Sequence, residues 1–182
     1  MIYVHLAEGF EEVEALTAVD VLRRAELDVR TVSVTGQKQV KGTHGVGVEA
    51  DILFEEADYT KCDMIVFPGG MPGSANLEAH EGLAMQIGNF ADSGKKLAAI
   101  CAAPMVFATC GILTGRKATI YPGMEECLKD AEPTGENVTT DGNIITGKGP
   151  ALAMEFALAL VEALKGKDTA DEVADDLLYE RK

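Results

Sequence analysis

Three short segments carry residues whose types and spacing suit covalent chemistry on a carbonyl. Cys101 ends the apolar run Leu97-Ala98-Ala99-Ile100 and is followed at once by Ala102, Ala103 and Pro104. A short apolar run suits a buried parallel strand, and the stretch beyond it suits a helix that Gly111 would stop. The spacing therefore predicts a strand over 97–100 and a helix over 102–110. Cys101 falls in the turn between them, lifted above the carboxyl edge of a sheet as in a nucleophile elbow. Unpaired N–H groups at a helix start favour an anion, so the thiol is expected to ionise below its ordinary value of about 8.5. The other role open to it is that of a small buried hydrophobe.

Glu14 sits in the first turn of the helix expected after the first strand, where the helix dipole favours a carboxylate of ordinary acidity. If it points at Cys101, burial instead holds it protonated, as a hydrogen-bond donor to sulfur and a proton carrier. Pro68-Gly69-Gly70 follows another apolar strand. Successive glycines let the backbone approach a ligand closely, so the Gly70 N–H paired with the Ala102 N–H would hold an oxyanion; a plain tight turn is the alternative. None of His5, His44 and His80 neighbours Cys101 in sequence, and His5 and His80 read as structural or surface residues. No His-Glu-x-x-His or paired Cys/His spacing is present, so no metal is expected. Gly142 to Lys148 approaches a phosphate-binding loop, but Gly149 stands where Ser or Thr is required.

Positioning these groups requires alternating strands and helices. Strands are expected over 2–7, 28–34, 63–67, 97–100 and 117–120, with hairpins over 38–50 and around Asp141-Gly142. Helices are expected over 12–26, with Ala15, Leu16, Val19 and Leu22 apolar and Asp20 paired to Arg24, then over 78–91, from Pro150 onward, and over 168–181. This order implies a parallel sheet covered on both faces, with functional residues gathered where strand ends meet loops. A length of 182 residues fits a single domain over 1–182. A net charge of −14 repels phosphate backbones and anionic lipid, which argues against nucleic-acid and membrane partners. Met1 to Leu6 lacks the features of a secretory signal, and four cysteines without a C-x-x-C pair suit reduced thiols, so a cytoplasmic protein is expected.

Taken together, Ala7-Glu8-Gly9-Phe10-Glu11-Glu12-Val13-Glu14, Pro68-Gly69-Gly70, Ala99-Ile100-Cys101-Ala102-Ala103-Pro104 and the helix Glu155 to Leu164 resemble the ThiJ/PfpI family, and within it the parkinsonism-associated deglycase branch. The resemblance implies a flavodoxin-like three-layer sandwich with a mostly parallel sheet and a nucleophile-elbow cysteine. It places Cys101 at the reactive cysteine, Glu14 at the protonated acid beside it, and Gly70, with Gly69, and Ala102 at the facing backbone. It also implies a homodimer, with Arg24 and His44 near the interface. Two positions depart from the family. Tyr121 stands where the deglycase branch can place a histidine, and Ala102 where the peptidase branch has one. Both weaken a Cys–His hydrolase, while Tyr121 can still hydrogen-bond substrate. The implied activity is cofactor-independent conversion of α-oxoaldehydes such as methylglyoxal, or of their early adducts on glycated protein, to hydroxy acids. A redox-sensing or chaperone-like role for Cys101 and, lower, an amidase or peptidase are the other readings.

Overall fold

The computed structural model describes residues 1–181. Strand β1 (Ile2–Leu6) leads through a glycine turn into helix α1 (Glu12–Arg24), and β2 (Val29–Ser33) returns beside β1. A hairpin of β3 (Gln39–Lys41) and β4 (Gly47–Glu49) is tied to the loop after β1, since Gly9 N–H donates to the Lys41 carbonyl at 2.8 Å. The two-residue β5 (Ile52–Leu53) extends the sheet beyond β2. Next come β6 (Met64–Phe67), α2 (Gly73–Glu78), α3 (Glu81–Ser93), β7 (Lys96–Ile100) and α4 (Pro104–Thr109). The last part holds β8 (Lys117–Ala118), β9 (Glu132–Pro133), β10 (Val138–Asp141), β11 (Ile144–Gly147), α5 (Ala153–Lys165) and α6 (Lys167–Asp176).

Seven strands form one sheet in the order β10-β11-β7-β6-β1-β2-β5, parallel throughout except for β10 against β11. Strands β2-β1-β6-β7-β11 reproduce the 2-1-3-4-5 order of a flavodoxin-like fold. Alternation along the central strands explains why Met64–Phe67 and residues 97–100 are continuously apolar. Ile2, Val4, Met64, Val66, Ala98, Ile100 and Ile145 pack on one face against α1, α5 and α6. Tyr3, Ile65, Phe67, Leu97, Ala99 and Ile144 pack on the other against α2, α3 and α4. Both faces are dry, so neither set of alternate positions tolerates a polar side chain without a partner. In this order β1 and β6 are neighbours whose connections leave toward opposite faces, and a crevice opens at their carboxyl ends.

Several local expectations are revised. The helix expected over 78–91 is α3, which begins only at Glu81 because His80 caps it by accepting the Leu83 N–H on Nδ1 at 3.1 Å, and a separate helix, α2, precedes it. The helix after Cys101 starts at Pro104 instead of Ala102, since proline suits a first helical position and leaves 101–103 as a turn. Pro150 opens a 3-10 turn over Pro150–Leu152, and α5 proper follows it. The strand expected over 117–120 shrinks to β8, paired with β9 outside the main sheet, and the last helix ends at Asp176. Leu16, expected in the buried stripe of α1, is 41 % exposed, whereas Ala15, Val19 and Leu22 are buried.

Candidate active site

Three loops meet at the carboxyl end of the sheet, after β1, β6 and β7. Glu11 caps α1, its Oε2 accepting the Glu14 N–H at 2.8 Å, and this fixes the first helical turn. The same turn is stitched to the loop after β6 in both directions. Glu11 N–H donates to the Gly69 carbonyl at 2.9 Å, and Gly69 N–H donates to Glu14 Oε2 at 2.7 Å. Only glycine fits at position 69: a Cβ there would lie 2.6 Å from the Cys101 Cβ and 2.8 Å from Glu14 Oε2. Gly70 has φ +87°, and a Cβ would come within 2.6 Å of the Glu11 nitrogen.

Cys101 follows β7 directly and has φ 62°, the left-handed region that costs a non-glycine residue roughly 1–2 kcal/mol. Its main chain is held from two sides. Cys101 N–H donates to the Gly147 carbonyl at 2.9 Å, and its own carbonyl accepts the Tyr121 N–H at 2.9 Å. The N–H groups of Gly70 and Ala102 are directed at the thiol. Sequence reasoning expected that side chain to be presented to solvent; it is only 9 % exposed, because the Gly69 backbone and α1 close over it.

Glu14 is 1 % exposed, and burial pushes its carboxyl up to about 7 against the lowering effect of the Gly69 N–H and the Cys101 thiol. Its Oε1 is buried without a well-formed hydrogen bond, so a proton on the carboxyl supplies what the ionised form lacks, a donor to face sulfur. The Cys101 thiol moves opposite to the sequence expectation. Burial first, then the charge and acceptor of ionised Glu14, push it up to about 12, although the Gly70 and Ala102 N–H groups pull it down. Two anions are not accommodated side by side in this dry crevice, so the pair keeps at least one proton at neutral pH and titrates as a unit. The six-residue α4 does not offset the burial.

Glu14, Gly69, Gly70, Cys101 and Ala102 lie together, with the Tyr121 backbone against Cys101 and its side chain 46 % exposed. The histidines lie elsewhere. His5 is fully buried, donates to or accepts from the Tyr59 hydroxyl through Nε2 at 2.7 Å, and is lowered to about 3 by burial. His44 is exposed and bonds Glu12 Oε2 through Nδ1 at 2.9 Å, which raises it. Glu11, Glu12 and His44 bring one ligand atom each within 4.8 Å, but the Glu12 oxygens are already taken by the imidazole and by backbone N–H groups of His44 and Val46. Arg24 pairs with Asp20 at 2.8 Å on the exposed side of α1. Sequence reasoning missed Glu11 and Gly147; the acid three residues ahead of Glu14 was the available sign of a cap.

Among the described residues no helix is long and apolar enough to cross a membrane. Residues 1–163 match the DJ-1/PfpI family. Protein dj-1beta of Drosophila melanogaster is 40 % identical over 178 residues, covering 96 % of this chain and 95 % of the fly protein. Protein DJ-1 homolog B of Arabidopsis thaliana is 39 % identical over 92 % of this chain, and the chain spans only 38 % of that plant protein and 43 % of homolog A. Glutathione-independent glyoxalase DJR-1.2 of Caenorhabditis elegans is 30 % identical over 93 % of this chain and 91 % of its own. The structure of oxidized Toxoplasma gondii DJ-1 superposes with a TM-score of 0.95 at 36 % identity, covering 99 % of this chain and 98 % of that one. With the family matched across most of its length and the fold shared from end to end, the chain belongs to the DJ-1/PfpI family.

Proposed function

We propose that this chain converts α-oxoaldehydes such as methylglyoxal, or their early adducts on protein, to 2-hydroxy acids through Cys101. The observation that carries this reading is a buried carboxyl held near 7, beside a strained cysteine at which two backbone N–H groups are aimed. Ionised Glu14 takes the thiol proton as sulfur adds to the aldehyde carbon, so a thiol that does not ionise by itself is activated only on attack. The Gly70 and Ala102 N–H groups hold the oxygen as it gains charge, and Glu14 then returns the proton to it. In the rearrangement Glu14 removes the hydrogen of the former aldehyde carbon as a proton and delivers it to the neighbouring carbonyl carbon, while the hydroxyl proton on the first oxygen passes to the second. The first carbon is oxidised to a thioester and the second reduced to an alcohol, so the electron change is internal to the substrate. Water cleaves the thioester, releasing the hydroxy acid and the thiol. Tyr121 hydrogen-bonds the substrate from the mouth of the site.

The worm relative named as a glutathione-independent glyoxalase supports the reaction class. The test is methylglyoxal consumption and lactate release by the purified protein. Cys101→Ser is expected to abolish turnover, and Glu14→Gln to lower it by about 10²–10⁴-fold, the usual worth of a general acid–base group. Undiminished turnover by Cys101→Ser would sink the proposal. A second reading, a redox sensor, is favoured by the oxidized state of the Toxoplasma relative. Peroxide would oxidise the Cys101 sulfur, with the Glu14 proton bonding the product oxygen. Selective sulfinic acid at Cys101 without aldehyde turnover would favour it. We further propose a single cytoplasmic domain acting as a homodimer. The exposed Val13 and Leu16 of α1, with Val46 on the hairpin, supply an apolar patch flanked by Arg24 and His44.

A further inference from the structure

A cavity of about 550 Å³ lies between the chain over 57–60 and one face of α3, and it shares no lining residue with the Cys101 crevice. Its loop wall precedes β6 and its Lys95 precedes β7, whereas Cys101 follows β7. The wall is held by polar side chains that the core does not need. Tyr3 and His5 are both buried in β1, on the face where β6 and β7 carry Ile65, Phe67, Leu97 and Ala99. Burying polar groups there is unfavourable unless they are bonded, and both are directed at this one loop. The Tyr3 hydroxyl accepts the Asp58 N–H at 3.1 Å and donates to the Asp58 carbonyl at 3.3 Å. His5 Nε2 shares a hydrogen bond with the Tyr59 hydroxyl at 2.7 Å. Lys95 ties the loop from the other side, donating to the Tyr59 and Thr60 carbonyls at 3.2 and 3.1 Å with its ammonium 5.1 Å above the Phe90 ring. A loop pinned by three side chains from two strand segments is a rigid wall, the support that a binding site requires.

The chemistry of the lining selects the ligand. Phe90 and Tyr59, edge to face at 6.4 Å, form an apolar floor that suits a flat ring. Gln86 and Asn89 face the cavity from successive turns of α3, and neither carboxamide has a hydrogen-bond partner among the described residues. The charged groups are already engaged: Lys95 as above, and Asp58 by the Thr60 N–H and hydroxyl and by Lys61. No free charge faces the cavity, and the net charge of −14 works against a phosphate. A free carboxamide makes two hydrogen bonds to an edge that sets an N–H donor beside an acceptor, as it does with adenine. The volume falls within the range of small-ligand pockets, roughly 300–1,000 Å³. We propose that this cavity is a second binding site, separate from the catalytic one, for a neutral nucleobase or nucleoside held by Gln86 and Asn89 over the Tyr59–Phe90 floor.

The test is titration calorimetry of the full chain with adenosine, purine riboside and adenosine 5′-monophosphate. Adenosine is expected to bind with a Kd of about 0.1 mM, the order that a ligand of its size reaches. Purine riboside, which lacks the amino donor, and the monophosphate, which adds charge, are each expected to bind about tenfold more weakly. The double variant Gln86→Ala, Asn89→Ala lies on the outer face of a helix that alanine favours, and it is expected to weaken adenosine by at least about tenfold. Cys101→Ser is expected to bind adenosine as the wild type does. Absence of saturable binding by adenosine up to its solubility limit would overturn the proposal. Binding that survives the double variant, equal affinity for adenosine and purine riboside, or loss of binding in Cys101→Ser would overturn it as well, the last by moving the ligand to the catalytic crevice.

Discussion

Replacing Glu14 by glutamine isolates the electrostatic cost of the site. The amide keeps an oxygen for the Gly69 N–H and offers an N–H toward sulfur, but it never ionises. In the wild type the folded carboxyl is raised from 4.5 to about 7. Below the unfolded value both states hold the proton and Glu14 costs nothing. As pH rises toward 7 the unfolded chain releases its proton first, so the folded state loses stability, and above 7 the loss levels off. At roughly 1.36 kcal/mol per pH unit, the wild type should be about 3 kcal/mol less stable than Glu14→Gln at pH 8, with the gap closing toward pH 4.5. For a chain of this size that corresponds to about 6–12 °C in Tm. His5 acts in the opposite direction, since its folded value is lowered to about 3 and stability falls as pH drops through 6.5. It is common to both proteins and cancels in the difference. The assay is thermal unfolding of both proteins at equal concentration between about pH 4.5 and pH 8. Melting curves that stay a constant distance apart across this range would refute a carboxyl raised by burial.

The same charge should govern the thiol. At pH 9, Glu14→Gln is expected to speed iodoacetamide alkylation of Cys101 by about tenfold or more, because ionised Glu14 both repels the thiolate and accepts the thiol proton. Equal rates by peptide mass spectrometry would show that the acid does not restrain the sulfur. Gly69→Ala should cost about 2–3 kcal/mol in urea unfolding and block alkylation of Cys101, since its methyl collides with two fixed groups. A change within about 0.5 kcal/mol would contradict that crowding. If α1 forms the dimer interface, Leu16→Glu should sediment as a monomer under conditions where the wild type is a dimer, and an unchanged dimer would place the interface elsewhere.

The amino-acid sequence by itself determined the central strands of the sheet and which residue types stand at its carboxyl edge. Runs such as Met64–Phe67 and Leu97 to Ile100 are apolar at every position, and only a strand buried on both faces makes use of that. Gly69-Gly70 and the Cys101-Ala102-Ala103-Pro104 turn are local signals as well, legible because backbone conformation and steric size are written in adjacent residues. Short pieces such as β5 and β9 escaped, since two residues carry no periodicity. Leu16 looked like core because spacing marks a helix face without saying whether this chain or another surface covers it.

Only the tertiary structure decided the chemistry of the site. The 2-1-3-4-5 strand order sets the loops after β1, β6 and β7 side by side, and that adjacency buries Glu14 against Cys101. An acid in a first turn reads as ordinary unless it faces Cys101, and a thiol ahead of a helix reads as acidic; burial raises both, selecting the protonated alternative for Glu14 and reversing the expectation for Cys101. The physical reason is that a pKa depends on how much water surrounds a group and which charges face it. Both are properties of segments far apart in the chain, fixed only when the sheet assembles.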